Sequence, residues 1–138
     1  MRNIVIKKIL PSKIERFAKR QWQIINRRFN HLPPKKTLFF GVYLKKLVAY
    51  AKLDIRGGMV EIRHLIVQDN LTGKGIGSQI LNYIEKWAKR KKYRKIVLKV
   101  PSVYKMAINL YKAHGYKKDA TLPDYYYGCD WCYMGKKL

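Results

Sequence analysis

The spacing of apolar residues changes period several times along the chain, and each change predicts an element. Residues 2–9 alternate weakly and predict a first strand. Pro11-Ser12 then breaks the chain and supplies a helix cap, after which Ile14, Ala18, Trp22, Ile25 and Phe29 recur at helical spacing. His31-Leu32-Pro33-Pro34 ends that helix, because proline cannot continue it. Residues 37–44 and 47–53 are apolar, β-branched and aromatic runs joined by Lys45-Lys46, the pattern of a hairpin. Gly57-Gly58 turns the chain into a further strand, Met59–Val67. A long helix then opens at Gly75 and buries Ile76, Ile80, Leu81, Ile84, Trp87 and Ala88. Residues 95–100 form a strand and residues 103–113 a helix that Gly115 stops. Residues 125–134 are aromatic and strand-like around a glycine turn.

Strict alternation along Met59–Val67 places Glu61, Arg63, Leu65 and Val67 on one face and Val60, Ile62, His64 and Ile66 on the other. A carboxylate in an otherwise apolar strand is costly unless it is paired or used. Glu61 therefore either pairs with Arg63 or a lysine, or does chemistry. His64 reads as a packed or hydrogen-bonded histidine.

Between this strand and the long helix lies Thr72-Gly73-Lys74-Gly75-Ile76-Gly77-Ser78. Glycines at alternate positions let the backbone turn tightly and approach a ligand closely. The amides of the first helical turn lack partners inside the helix, and the helix dipole adds positive potential there, so a phosphate fits. The loop is neither of two familiar phosphate binders. The dinucleotide fingerprint requires glycine where Ile80 stands, and the nucleotide-hydrolase loop requires Ser or Thr after Lys74, where Gly75 stands.

Composition narrows the partners. At 138 residues, about half of them apolar, the chain is expected to fold as a single domain spanning 1–138. No apolar run reaches the ~18 residues of a membrane span, and Lys7-Lys8 interrupt the N-terminal apolar stretch, so a cytoplasmic location is expected. A net charge of +23 attracts polyanions such as RNA or DNA, or else serves solubility. Lys13, Arg16, Arg20 and Arg27 make one basic stripe, and Lys86, Lys89, Arg90, Lys91, Lys92, Arg94 and Lys95 a dense basic run at the end of the long helix. Cys129 and Cys132 lack the further ligands of a structural zinc site and read as small residues of a terminal hairpin. No metal is expected.

Taken together, the strand, glycine loop, helix, strand and closing helix resemble the GNAT superfamily of acetyl-CoA-dependent N-acetyltransferases. The family's loop motif, Arg/Gln-x-x-Gly-x-Gly/Ala, is matched by Thr72 to Gly77 at both glycines, with Thr72 replacing the long polar side chain. A second motif is matched by Ala107-Ile108-Asn109-Leu110-Tyr111-Lys112-Ala113-His114-Gly115-Tyr116. The resemblance implies a mixed α/β (α+β) fold, with a mostly antiparallel sheet of about six or seven strands flanked by about four helices. It implies acetyl-CoA as cosubstrate, its pyrophosphate held by Thr72, Gly73, Lys74, Gly75, Ile76, Gly77 and Ser78. The pantetheine arm would lie along Leu65, Ile66 and Val67. Tyr104, which stands where relatives often carry Asn, would lie near that arm. Tyr111 takes the place of the family's general acid. Glu61, eleven residues before Thr72, takes the place of the general base of the histone-acetylating branch.

The activity so implied is direct acetyl transfer to a primary amine in a ternary complex. The basic charge favours an acceptor on a protein or an aminoacyl group on tRNA over a small polycationic amine. A binding module for nucleic acid or protein on the same fold is the alternative from another class. The assembly would be a monomer or a homodimer.

Overall fold

The computed structural model describes residues 4–28 and 35–138. The chain forms two compact units, Met1–Pro33 and Pro34–Leu138. In the first, residues 4–10 are neither helix nor strand, so the expected strand over 2–9 does not form in its described part. A strand exists only through a ladder partner, and Lys7-Lys8 leave this run without a continuous apolar face. Pro11–Lys13 is one 3-10 turn led by extended Leu10, the geometry that a following proline favours. Ser12 lies inside that turn and is not the cap. Helix α1 follows over Glu15–Arg28, with Glu15 in its first turn complementing the helix dipole. Phe29 and the His31–Pro34 stop fall outside the described residues.

The second unit is built on a six-stranded sheet. Strands β1 (Lys36–Leu44) and β2 (Lys46–Arg56) form the expected hairpin about Lys45. Gly57 and Gly58, at φ 60° and 79°, supply the two positive values of a type I′ turn into β3 (Met59–Val67). Helix α2 (Ile76–Arg90), β4 (Lys95–Pro101), helix α3 (Lys105–Ala113), β5 (Lys117–Leu122) and β6 (Trp131–Lys137) complete the unit. The strand order is β1-β2-β3-β4-β6-β5, antiparallel throughout except for the parallel β3–β4 pair that α2 connects. Six strands lie within the expected range. Among the described residues there are three α-helices rather than about four, since residues 11–13, 69–71 and 126–128 make only single 3-10 turns.

The core lies where α2 and α3 cover the sheet. Alternate residues of β2 (Ala49, Ala51, Leu53, Ile55) meet Ile80, Leu81, Ile84 and Ala88 of α2, with Ile96, Leu98 and Met134 beside them. All six residues expected on the buried face of α2 are buried. In the C-terminal segment the glycine turn forms over residues 126–128, but the strand begins only at Trp131. The apolar spacing does not predict β5, an exposed edge strand without apolar alternation.

The most consequential difference is a bulge in β3. Leu53 pairs with Ile62 and Lys52 with His64, so Arg63 is an extra residue facing no partner. One inserted residue reverses the alternation beyond it. Val60 and Ile62 are buried, but Leu65 and Val67, not His64 and Ile66, pack on the core after the bulge. Glu61 thus shares its face with His64 and Ile66, and the strict two-residue period assumed from sequence fails at Arg63. No described helix is long and apolar enough to cross a membrane.

Candidate active site

The loop between β3 and α2 is built around two left-handed residues. Gly73 and Gly75 have φ +74° and +83°, values that disfavour any side chain. Thr72 donates its hydroxyl hydrogen to the Asp69 carbonyl at 2.9 Å, so its side chain serves the loop's own backbone. Gly75 is the N-cap of α2 and no side chain caps the helix there. The first bond of the helical ladder at this end runs from the Gln79 amide to the Gly75 carbonyl, 3.1 Å. The Ile76, Gly77 and Ser78 amides therefore have no acceptor inside the helix, and they stand at its positive end. A Cβ built on Gly77 would lie 3.3 Å from Leu110 Cδ2, so this glycine sets how closely α2 approaches α3. Lys74 is exposed beside the turn, whereas the Ile76 side chain points into the core. These residues fit a pyrophosphate: orphan amides, a dipole, a lysine and no side chain in the way.

Next to this cradle the sheet opens. β3 and β4 pair only from Met59↔Lys95 to Ile62↔Leu98. Beyond that point β3 stays on β2 through Leu65, Ile66 and Val67, while Lys99 to Pro101 stay on β6. The divergence begins at the Arg63 bulge. It leaves two backbone edges facing each other without a shared ladder, the setting in which an extended ligand docks as an added strand.

Tyr111 is positioned by the end of α3. The Tyr116 amide donates to the Tyr111 carbonyl and the Gly115 amide to the Lys112 carbonyl, both at 3.0 Å, with Gly115 at φ +88°. This is a Schellman cap, and its hydrophobic contact is the Tyr111–Tyr116 ring pair at 5.7 Å. Burial pushes the Tyr111 phenol up to about 12. Tyr116 is raised further, by burial first and then by the charge of Glu85. Tyr104 is the exposed N-cap of α3 and makes no side-chain capping bond.

Glu61 lies on the face away from Val60 and Ile62, beside Arg63 and a lysine, as the sequence allows. Its carboxylate is 3.4 Å from Arg63 Nη1 and 3.9 Å from Lys99 Nζ. Lys99 in turn lies 5.8 Å from the ring centre of Tyr125, which packs with Tyr126 and Trp131. The Tyr125 phenol is lowered by its hydrogen bond with Tyr126, an effect that Lys99 and Arg63 reinforce. An ionisable, aromatic-walled surface therefore adjoins Glu61. Only the β4–β6 pairing could have revealed it. His64 accepts or donates a hydrogen bond with Tyr50 Oη at 3.2 Å and is exposed. Cys129 and Cys132 are free thiols.

A splayed sheet with an anion cradle at its open edge defines a frame for a long, phosphate-bearing cosubstrate. The chain belongs to the Acetyltransferase (GNAT) family, whose model matches residues 6–116. It is 28% identical over 105 residues to the uncharacterized N-acetyltransferase YobR of Bacillus subtilis (strain 168), a match covering 75% of this chain and 42% of that protein. The chain thus spans less than half the length of that relative. A crystal structure of an acetyltransferase from Bacillus cereus ATCC 14579 superposes with a TM-score of 0.78 at 24% identity, over 98% of both chains. Arabidopsis thaliana Naa50, in complex with the bisubstrate analogue CoA-Ac-MVNAL, gives 0.62 at 26% identity, over 70% of this chain and 69% of that one.

Proposed function

We propose that this protein is an acetyl-CoA-dependent N-acetyltransferase acting directly on a primary amine of a protein. The observation that carries the reading is the divergence of β3 and β4 beside the glycine cradle. Acetyl-CoA supplies the acetyl group as a thioester. Thr72 to Ser78 hold its pyrophosphate, chiefly through backbone amides. Leu65, Ile66 and Val67 offer the strand edge along which the arm lies, and an amide near Val67 polarises the carbonyl oxygen. Tyr104 flanks the same cleft from the start of α3.

Glu61 takes a proton from the acceptor ammonium, which otherwise titrates near ~10.4 and cannot attack. Tyr111 keeps its proton at neutral pH, being raised to about 12, and donates it to the departing sulfur. A peptide amine suits the surface next to Glu61, where Tyr125, Tyr126 and Trp131 accommodate an apolar residue and Arg63 and Lys99 a chain carbonyl. The peptide-like part of the analogue bound by Naa50 supports the same acceptor class. An aminoacyl group on tRNA is the second reading, favoured by the exposed Lys86, Lys89, Arg90, Lys91, Lys92 and Arg94 at the end of α2.

The test is calorimetry with acetyl-CoA on wild type and Gly75→Glu, followed by transfer assays on peptides and on aminoacyl-tRNA. Micromolar binding lost in the folded variant is the expected result. No binding to wild type would sink the enzyme reading in favour of a binding module.

A further inference from the structure

Ser78 is the third residue of α2, and Glu85 lies two turns further along the same face. Between them and α3 stands His114, the C-cap of that helix. Ser78 Oγ is 2.9 Å from His114 Nε2, His114 Nδ1 is 3.6 Å from Glu85 Oε1, and Lys136 Nζ donates to Glu85 Oε2 at 2.9 Å. The side chains of His114 and Glu85 are only 12% and 11% exposed. The chain of contacts has one slack link, because 3.6 Å is too long for a hydrogen bond. Among the described residues Glu85 Oε1 and the nearby Tyr116 Oη are buried without a hydrogen-bond partner.

We propose that His114 and Glu85 are positioning residues that free the Ser78 hydroxyl to donate to the pyrophosphate, so that acetyl-CoA binding takes up a proton at His114. The inference rests on the cradle reading above and adds a proton linkage to it. In neutral imidazole one ring nitrogen donates and the other accepts. With Nδ1–H turned to Glu85, Nε2 accepts the Ser78 hydroxyl hydrogen, and Ser78 has none to offer an anion. Once His114 is protonated both nitrogens donate. Nε2–H then donates to Ser78 Oγ, and the hydroxyl hydrogen is released toward the first turn of α2.

The charges around His114 agree with this exchange. Glu85 comes from α2 and Lys136 from β6, a pair already balanced, while the phenols of Tyr111 and Tyr116 stay neutral through burial. An imidazolium therefore adds one positive charge beside the helix end that receives the anion. That charge also draws the Nδ1–H, already turned to Glu85, across the 3.6 Å gap toward the bare Glu85 oxygen. The proton comes from solvent and returns there when the ligand leaves.

The experiment is calorimetric titration of the whole chain with acetyl-CoA in two buffers of different ionisation enthalpy at one pH. Wild type is compared with His114→Gln and Ser78→Ala, and circular dichroism checks their folding. Protons taken up by the ligand's own phosphates are common to all three, so the differences report His114. Lower proton uptake in both variants, with affinity weakened roughly tenfold, is expected. Binding with equal proton uptake in wild type and His114→Gln would overturn the linkage while leaving the cradle standing. Absence of binding in wild type would overturn cradle and linkage together.

Discussion

Glu61 on β3 stands in register with Asp54 on β2, and Arg63 reaches both carboxylates, 3.4 Å from Glu61 and 3.9 Å from Asp54. The two acids are not equivalent. Asp54 is also held by Thr37 and Lys35, whereas among the described residues the other ionic neighbour of Glu61 is Lys99 at 3.9 Å. Glu61 is thus the carboxylate with lone pairs to spare for an incoming amine. Glu61→Gln is expected to lower kcat about a hundredfold while acetyl-CoA affinity holds. The deficit should shrink as pH rises and the amine loses its proton unaided. A deficit independent of pH between 7 and 10 would remove the base role from Glu61.

Asp54 ties this face to acid stability. Burial works to raise its carboxyl, but the hydrogen bonds from Thr37 and Lys35 and the charges of Lys35 and Arg63 outweigh burial and hold it below the ordinary 3.8. The folded state therefore releases this proton more readily than the unfolded chain. The resulting stabilisation is complete above the unfolded value and disappears as pH falls through the folded one. Asp54→Asn should be less stable than wild type to urea at pH 7, and the gap should narrow below pH ~3.8. An equal gap at pH 7 and pH 3 would show that Asp54 acts through packing alone.

Much of this architecture can be read along the chain, and the failures have physical causes. The buried face of α2 follows from its 3.6-residue period, and the Schellman cap that fixes Tyr111 follows from Gly115. The glycine cradle is likewise local, since Gly73 and Gly75 must adopt positive φ. The bulge at Arg63 is different. Whether an extra residue enters a ladder depends on the partner strand, and β2 carries no sign of it. Strict alternation therefore put His64 and Ile66 on the face of Val60 and Ile62 in place of Leu65 and Val67. For the same reason Asp54 and Lys99 stayed invisible as particular neighbours of Glu61, and Tyr125 as a neighbour of Lys99, and so did the contact between Ser78 and His114, 36 positions apart.

Tyr111 separates chemistry from folding. Its phenol is raised to about 12 by burial, so the folded state favours the neutral form. This contribution is whole below the unfolded value of 10.0 and is lost as pH climbs toward 12. Tyr111→Phe keeps the ring against Tyr116 and removes only the hydroxyl. It should leave thermal stability near wild type at pH 7 and cut kcat about ten- to a hundredfold. Its chemical step should recover when the acceptor attacks a thioester with a more acidic leaving thiol, which needs less help from a proton donor. A kcat unchanged from wild type would assign Tyr111 to packing.

The glycines of the cradle should fail in different ways. Gly75 sits at φ +83° with no protein atom within 4 Å of a built Cβ, so within the fold itself only conformation requires glycine there. Gly75→Ala should cost about 1–2 kcal/mol of stability through left-handed strain. Gly77 has ordinary φ, but its added methyl would press on Leu110 at 3.3 Å and push α3 away from α2. The shift would reach Tyr111, one residue further along α3. Gly77→Ala should therefore lower kcat more than Gly75→Ala does, although its backbone is unstrained. Urea denaturation and steady-state kinetics on the two variants decide the matter. If Gly75→Ala is the slower enzyme and Gly77→Ala is silent, the α2–α3 contact does not position Tyr111.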